Sequence, residues 1–247
     1  MSDEKFVFLD FDNTLCDQFQ LNLQYVREVG NLLAPKYGGE AEDWAKAMAD
    51  VMEAMEQDYI ARFLRNPLNG YCAWLEEMRP KAATMLFTRM GLPLPPNIEQ
   101  LAIETQFNAL TACDATFPGA YDALNTLFEG GYRTQIASGQ ESEWLLAALM
   151  GAGIESFTES KFGPDLIDCA KEGPEFYERI FAQVGVAPAA TLVIDNDPVA
   201  LGWAMQVGAK AIQVKVSPEY HLPEAPGIVA AITDLSDLPR LVRQTLG

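Results

Sequence analysis

Basic residues are scarce in this chain. It carries 17 Lys and Arg against 35 Asp and Glu, a formal net charge of −18. That balance argues against nucleic acid as a partner, because phosphate backbones recruit Lys and Arg. It argues equally against an anionic membrane surface. A small anionic substrate stays open, since the charge of one site matters there more than the total. Histidine is reduced to His221, which lies in a proline-rich loop with no partner in sequence and reads as incidental. The four cysteines, Cys16, Cys72, Cys113 and Cys169, form no Cys-x-x-Cys pair. A zinc site is not expected; packed, reduced thiols are. No apolar run is long enough to cross a bilayer, the longest being Trp144 to Ile154. The start Met-Ser-Asp-Glu-Lys lacks the basic and apolar regions of a secretion signal, so a cytoplasmic location is expected. Internal repeats and low-complexity segments are missing too. What remains is 49% hydrophobic and 21% charged, enough apolar material for one large globular domain or two small ones.

The texture changes along the chain. Phe6 to Leu9 is an unbroken apolar run, which suits a strand buried on both faces of a parallel sheet. From about residue 19 to 112 only helical patterns follow. Met48, Val51, Met55, Tyr59 and Phe63 recur on one face, and breaks fall at Asn66-Pro67-Leu68-Asn69-Gly70 and Gly91 to Pro96. Further helices are expected from Tyr71 towards Met90 and from Ile98 to Leu110. Met48, Met52 and Met55 share one helix; core filling is the expected role, with an adaptable binding face as the alternative. From Pro118 helices and strands alternate. Strands are expected at Tyr132–Ser138, around Phe157, at Thr191–Ile194, at Ala211–Val216 and at Ile228–Ile232. Helices are expected from Pro118, over Glu141–Met150, Glu175–Val184 and Pro198–Val207, and from Ser236. Such alternation implies a parallel sheet covered on both faces.

Polar residues gather where these patterns end. Asp10 and Asp12 flank Phe11 straight after the first strand. Ser138-Gly139 follows Gln135-Ile-Ala, Lys171 precedes Gly173-Pro174, and Asp195-Asn196-Asp197 follows Leu192-Val-Ile. Ligands of open α/β sheets bind beyond the carboxyl ends of the strands. Buried carboxylates there need a cation or hydrogen-bond donors.

Asp10-Phe-Asp12-Asn-Thr-Leu, with the other three clusters in this order, resembles the four motifs of the haloacid dehalogenase-like superfamily. The resemblance covers residues 5–18 and about 114–216. It implies a Rossmann-like α/β core from 1–18 and 113–247, with an all-helical cap, 19–112, inserted after the first strand. It also implies a magnesium-dependent phosphatase acting on a small phosphorylated metabolite through an aspartyl-phosphate. Asp10 is then the nucleophile and Asp12 the general acid and base. Ser138 and Lys171 neutralise the transferring group, and Phe11 and Gly139 are the substrate-binding positions. Lys171 is preferred to Lys161 because Lys-Glu-Gly-Pro-Glu-Phe-Tyr resembles the family's Lys-Pro-x-Pro-x-x-Phe. The Mg2+ ligands would be Asp10, Asp12 through its carbonyl, Asp195 and Asn196. Asn196 stands where an aspartate is usual and Ala200 where a further acid often follows. Asp197, just before Pro198, reads as a helix cap. The rival readings are a phosphomutase, a haloacid dehalogenase, and a binding protein on a decayed enzyme fold. A homodimer is compatible with all of them.

Overall fold

The computed structural model describes residues 5–217 and 222–247; His221 and the first part of its loop lie outside them. Strand β1 (Phe6–Leu9) is buried along its whole length and leads into α1 (Gln18–Tyr37), α2 (Ala41–Phe63), α3 (Tyr71–Arg89) and α4 (Ile98–Leu110). The alternating part follows as α5 (Ala120–Glu129), β2 (Arg133–Ala137), α6 (Ser142–Gly151), β3 (Lys161–Phe162), α7 (Pro164–Ile167) and α8 (Pro174–Val184). It ends with β4 (Thr191–Asp195), α9 (Pro198–Val207), β5 (Lys210–Val214), β6 (Ala230–Ile232) and α10 (Leu238–Leu246). The six strands are parallel, in the order β3-β2-β1-β4-β5-β6. The expected Rossmann-like sheet is therefore present.

Alternation along β1 assigns its two faces. Val7 and Leu9 face a core shared with α5, α6 and α10, whereas Phe6 and Phe8 pack on α8 and α9. Phe8 meets Phe181 edge-on at 5.1 Å. The chain runs from β1 to β2 and β3 on one side, then returns to β4 on the other. The crevice between the carboxyl ends of β1 and β4 is thus the topological switch point.

Residues 18–110 hold helices and no strand. Their apolar interior, including Trp44, Phe87 and Leu101, runs into the sheet's Val7/Leu9 face, joined where α4 packs on α6. A second cluster, Phe63, Tyr71, Trp74 and Met78, closes over Ala170. The chain enters and leaves this helical stretch side by side. Cys16 bridges Thr116 in antiparallel fashion. Asp17 N–H donates to the Ala115 carbonyl, and Gln24 exchanges two hydrogen bonds with Asp114.

Two sequence expectations need correction. The residues around Phe157 form a 3₁₀ turn, and the strand lies at Lys161–Phe162. Phe157 is apolar because its ring packs on Tyr121 and Phe128. The helix expected from Pro118 begins at Ala120, because Gly119 adopts a left-handed φ of 85° that turns the chain first. Cys16, Cys113 and Cys169 are buried free thiols, as expected. Among the described residues no helix is long and apolar enough to cross a membrane.

The packing between α4 and α6 yields a stability test. A β-carbon at Gly151 would collide with the main-chain carbonyls of Cys113 and Leu110, whereas one at Gly202, inside α9, would meet open space. Gly151→Ala should lower stability by about 1–3 kcal/mol. Gly202→Ala should raise it by roughly 0.5–1 kcal/mol. Urea unfolding midpoints of the two variants measure both, and equal shifts would refute the close approach.

Candidate active site

Strand register brings the separate motifs together. Leu9 pairs with Ile136 on β2 and with Ile194 on β4. The next residue, Asp10, donates its N–H to the Ile194 carbonyl at 2.8 Å and lies beside Asp195, the last residue of β4. Ser138 directly follows β2 on the other side. All three are buried.

Lys171 arrives from the loop between α7 and α8. Its Nζ donates to Asp10 Oδ1 at 2.7 Å, to Asp195 Oδ2 at 2.7 Å and to the Ala137 carbonyl at 3.2 Å. Lys161 instead pairs with Glu155 at 2.6 Å, so the preference for Lys171 agrees with the geometry. Burial alone would lower the Lys171 pKa, but the two carboxylates outweigh it and hold the ammonium well above its ordinary value. The partner carboxyl moves the other way. Burial first, joined by the charges of Asp195 and Asp12, raises Asp10 from 3.8 to about 7 against the lowering effect of Lys171.

Asp12 stands within a tight turn that begins at Phe11 and in which Asn13 takes a left-handed φ of 58°, a conformation asparagine tolerates. Gln140 Nε2 donates to Asp12 Oδ2 at 2.8 Å. The other oxygen, Oδ1, is buried with no protein partner among the described residues, and so is Ser138 Oγ. Burial raises the Asp12 carboxyl to about 6, against the lowering effects of Gln140 and Lys171.

Asp197 caps α9, its side chain accepting from Val199 N–H, as read from the sequence. Asp195 is less free than its sequence position suggests. Oδ2 accepts from Lys171 and from the Tyr177 hydroxyl at 3.4 Å, and Oδ1 from Asp197 N–H at 2.8 Å. Asn196 is turned towards Asp10: Thr14 Oγ1 donates to Asp10 Oδ2 at 2.9 Å, accepts from Asn196 N–H, and lies 3.3 Å from Asn196 Oδ1. Thr14, Gln140 and Tyr177 were not singled out from sequence. Thr14 lay inside the first motif, while Gln140 and Tyr177 gave no signal of their own. The Phe11 ring is buried against Trp144 and does not line the cavity, which leaves its main chain as the part that could meet a substrate. Gly139 does line the cavity.

Above these residues opens a cavity of about 850 Å³. Asp12, Gly139, Gln140 and Lys171 form one end, and α1 to α4 form the walls. Met48, Met52 and Met55, expected as core, pack on the core and also line this space. Arg79 also lines the cavity, bound to Glu141 and Glu143 at 2.7 Å each.

A carboxyl whose folded pKa is raised stabilises the fold below its unfolded value and loses that contribution as pH climbs through the folded one. For Asp10 the window runs from 3.8 to about 7. With chelator present, Asp10→Asn should therefore gain stability relative to the parent protein between pH 5 and pH 8. Urea midpoints at the two pH values check this; an offset independent of pH would refute it.

The fold is similar to that of L-2-haloacid dehalogenase from Xanthobacter autotrophicus with chloropropionic acid covalently bound, at 20% identity and TM-score 0.59, covering 97% of this chain and 98% of that one. It is also similar to 2-haloacid dehalogenase from Pseudomonas syringae pv. Tomato DC3000, at 17% identity and TM-score 0.67, over 98% and 99%. A HAD-hydrolase from Bacillus subtilis bound to magnesium gives 14% identity and TM-score 0.64, over 97% and 99%. At these identities the likeness speaks for the fold alone. No curated protein sequence matches the chain. Residues 4–199 match the family of haloacid dehalogenase-like hydrolases, and with four fifths of its length inside that match the chain belongs to this family.

Proposed function

We propose that the protein is a phosphatase that hydrolyses the monoester of a small molecule through a phosphorylated Asp10. The observation that carries this reading is Asp12. It is a second carboxyl two residues past the nucleophile, oriented by Gln140 and with one buried oxygen left unpartnered. Attack by Asp10 Oδ on phosphorus forms an acyl phosphate and breaks the ester P–O bond. The departing alkoxide needs a proton, which Asp12 holds and donates. Water then attacks phosphorus, Asp12 takes its proton, and inorganic phosphate leaves with the Asp10 carboxylate restored. Lys171 stays protonated and stabilises charge on the transferring group, and the free Ser138 hydroxyl is suited to donate to it. Helices α1 to α4 act as a cap over the reaction.

Magnesium fits this donor set. Two buried carboxyls, Asp10 and Asp195, share one lysine, and the half-buried Asp12 stands nearby, an excess of negative charge that a divalent cation relieves. Among the described residues no three His, Cys, Asp or Glu side chains form a cation site by themselves, so the ligands would be mixed oxygens. Asp10, the Asp12 carbonyl and Asn196 would hold it, while Asp195, engaged by Lys171 and Tyr177, serves chiefly to place the lysine. Bound there, magnesium supplies charge neutralisation for the incoming phosphate.

A second reading, haloacid dehalogenase, is favoured by the neighbours of similar fold. It leaves Asp12 without its task as an acid, because a departing halide needs no proton.

Asp12→Asn should lower turnover of alkyl phosphates by about 10²–10⁴-fold and of aryl phosphates far less, since their leaving oxygen needs little help. Asp10→Asn should abolish both while the protein stays folded. Phosphate and chloride assays with aryl phosphate and L-2-chloropropionate separate the two readings; chloride release without phosphate release would establish the dehalogenase.

The cation assignment has its own test. Asn196→Asp should lower the magnesium concentration needed to raise the melting temperature, and Asp197→Asn should leave it unchanged. A magnesium response that moves with Asp197 and ignores Asn196 would refute the ligand set.

A further inference from the structure

The cavity that reaches Asp12 and Lys171 is far larger than a phosphate requires, and most of its wall is apolar. Val29 from α1, Met52 from α2, Leu75 and Leu86 from α3, Leu101 from α4 and Trp144 from α6 all line it. The apolar character continues outwards. Phe19, Leu23, Ile60 and Ile103 line the same space yet are 51%, 49%, 40% and 38% exposed. A patch of exposed apolar side chains continuous with a reactive centre marks a surface meant to be covered by ligand.

The charges of the lining point the same way. Its two described cations are both engaged: Lys171 by Asp10 and Asp195, and Arg79 by Glu141 and Glu143. Glu53, Glu56 and Glu172 add further negative charge to the wall. A substrate body with a second phosphate or a carboxylate would meet acids and no available counter-charge. A sugar body would find polar partners only in places, such as Gln18, Asn22 and Gln106, and would press its other hydroxyls against the helices' apolar side chains, which costs free energy for each one left unpaired. A carbon chain or ring meets neither obstacle.

We propose that the substrate is the phosphate monoester of an apolar alcohol, its hydrocarbon body lying between α1, α2, α3 and α4 with the phosphate at Asp10. This rests on the phosphatase reading above. Methionines 48, 52 and 55 then form an adaptable part of the wall, able to follow bodies of different shape.

The test is phosphate release by the wild-type protein with magnesium from ethyl, butyl, hexyl and octyl phosphate. Glycerol 3-phosphate, glucose 6-phosphate and an aryl phosphate are run beside them. kcat/KM should rise about two- to fourfold per added methylene and exceed that for both polar esters. Phe19→Ser, at an exposed position that folding does not depend on, and Met52→Glu should each flatten this rise, with circular dichroism checking the fold. Polar esters turned over as well as octyl phosphate, or no rise with chain length, would overturn the substrate class and leave the phosphatase standing. No phosphate from any ester, the aryl one included, would overturn the phosphatase reading and this inference with it.

Discussion

One ammonium group shared between two buried carboxylates holds the site together. Parallel pairing of β1 with β4 sets Asp10 and Asp195 at the same level of the sheet, where burial would drive them apart or neutralise them. Lys171 makes the arrangement tenable, at 2.7 Å from each. The lysine must therefore be carried inward, and the loop that carries it needs its own support. Ala170 N–H donates to the Pro67 carbonyl between α2 and α3, and the Tyr59 hydroxyl donates to Glu172. The aromatic cluster of Phe63, Tyr71 and Trp74 packs over Ala170. Helices remote in sequence from the sheet thus stand behind the position of one nitrogen.

The first strand, the helices of residues 18–110 and the α/β alternation were legible because each has a period or a punctuation of its own. Ile98–Leu110 and Pro198–Val207 were readable to the residue, bounded by prolines and by capping or small side chains. Asp10 and Asp12 stood out because two acids straight after an apolar strand have no task in a core, whereas Ser138 and Lys171 were singled out by the resemblance of their clusters to the family's motifs. Phe157 misled because apolar residues serve helix packing as well as strands, and no local pattern separates the two. The employment of Asp195 was hidden for a different reason. Its partners Lys171 and Tyr177 lie 24 and 18 residues away, and only the folded chain brings them to it. The double role of Met48, Met52 and Met55 was likewise invisible, since a side chain can face the core and an open cavity at once.

Similarity of fold does not by itself fix chemistry. The overall fold is shared with haloacid dehalogenases. In the phosphatase reading proposed above, the weight falls on one further carboxyl, Asp12, which Gln140 orients. Chemistry on a common scaffold is decided by such single additions, not by the layers that hold them.

The antiparallel bridge between Cys16 and Thr116 has a consequence for the history of the chain. Because the segment of peptide going out to the helices runs beside the one coming back, the helical stretch leaves and rejoins the main chain of the α/β part at one place. Its length can grow, shrink or be exchanged without altering the order in which β1 and β2 are threaded. The junction therefore behaves as a graft site, at which a lineage can change the roof over the carboxylates while inheriting the carboxylates intact.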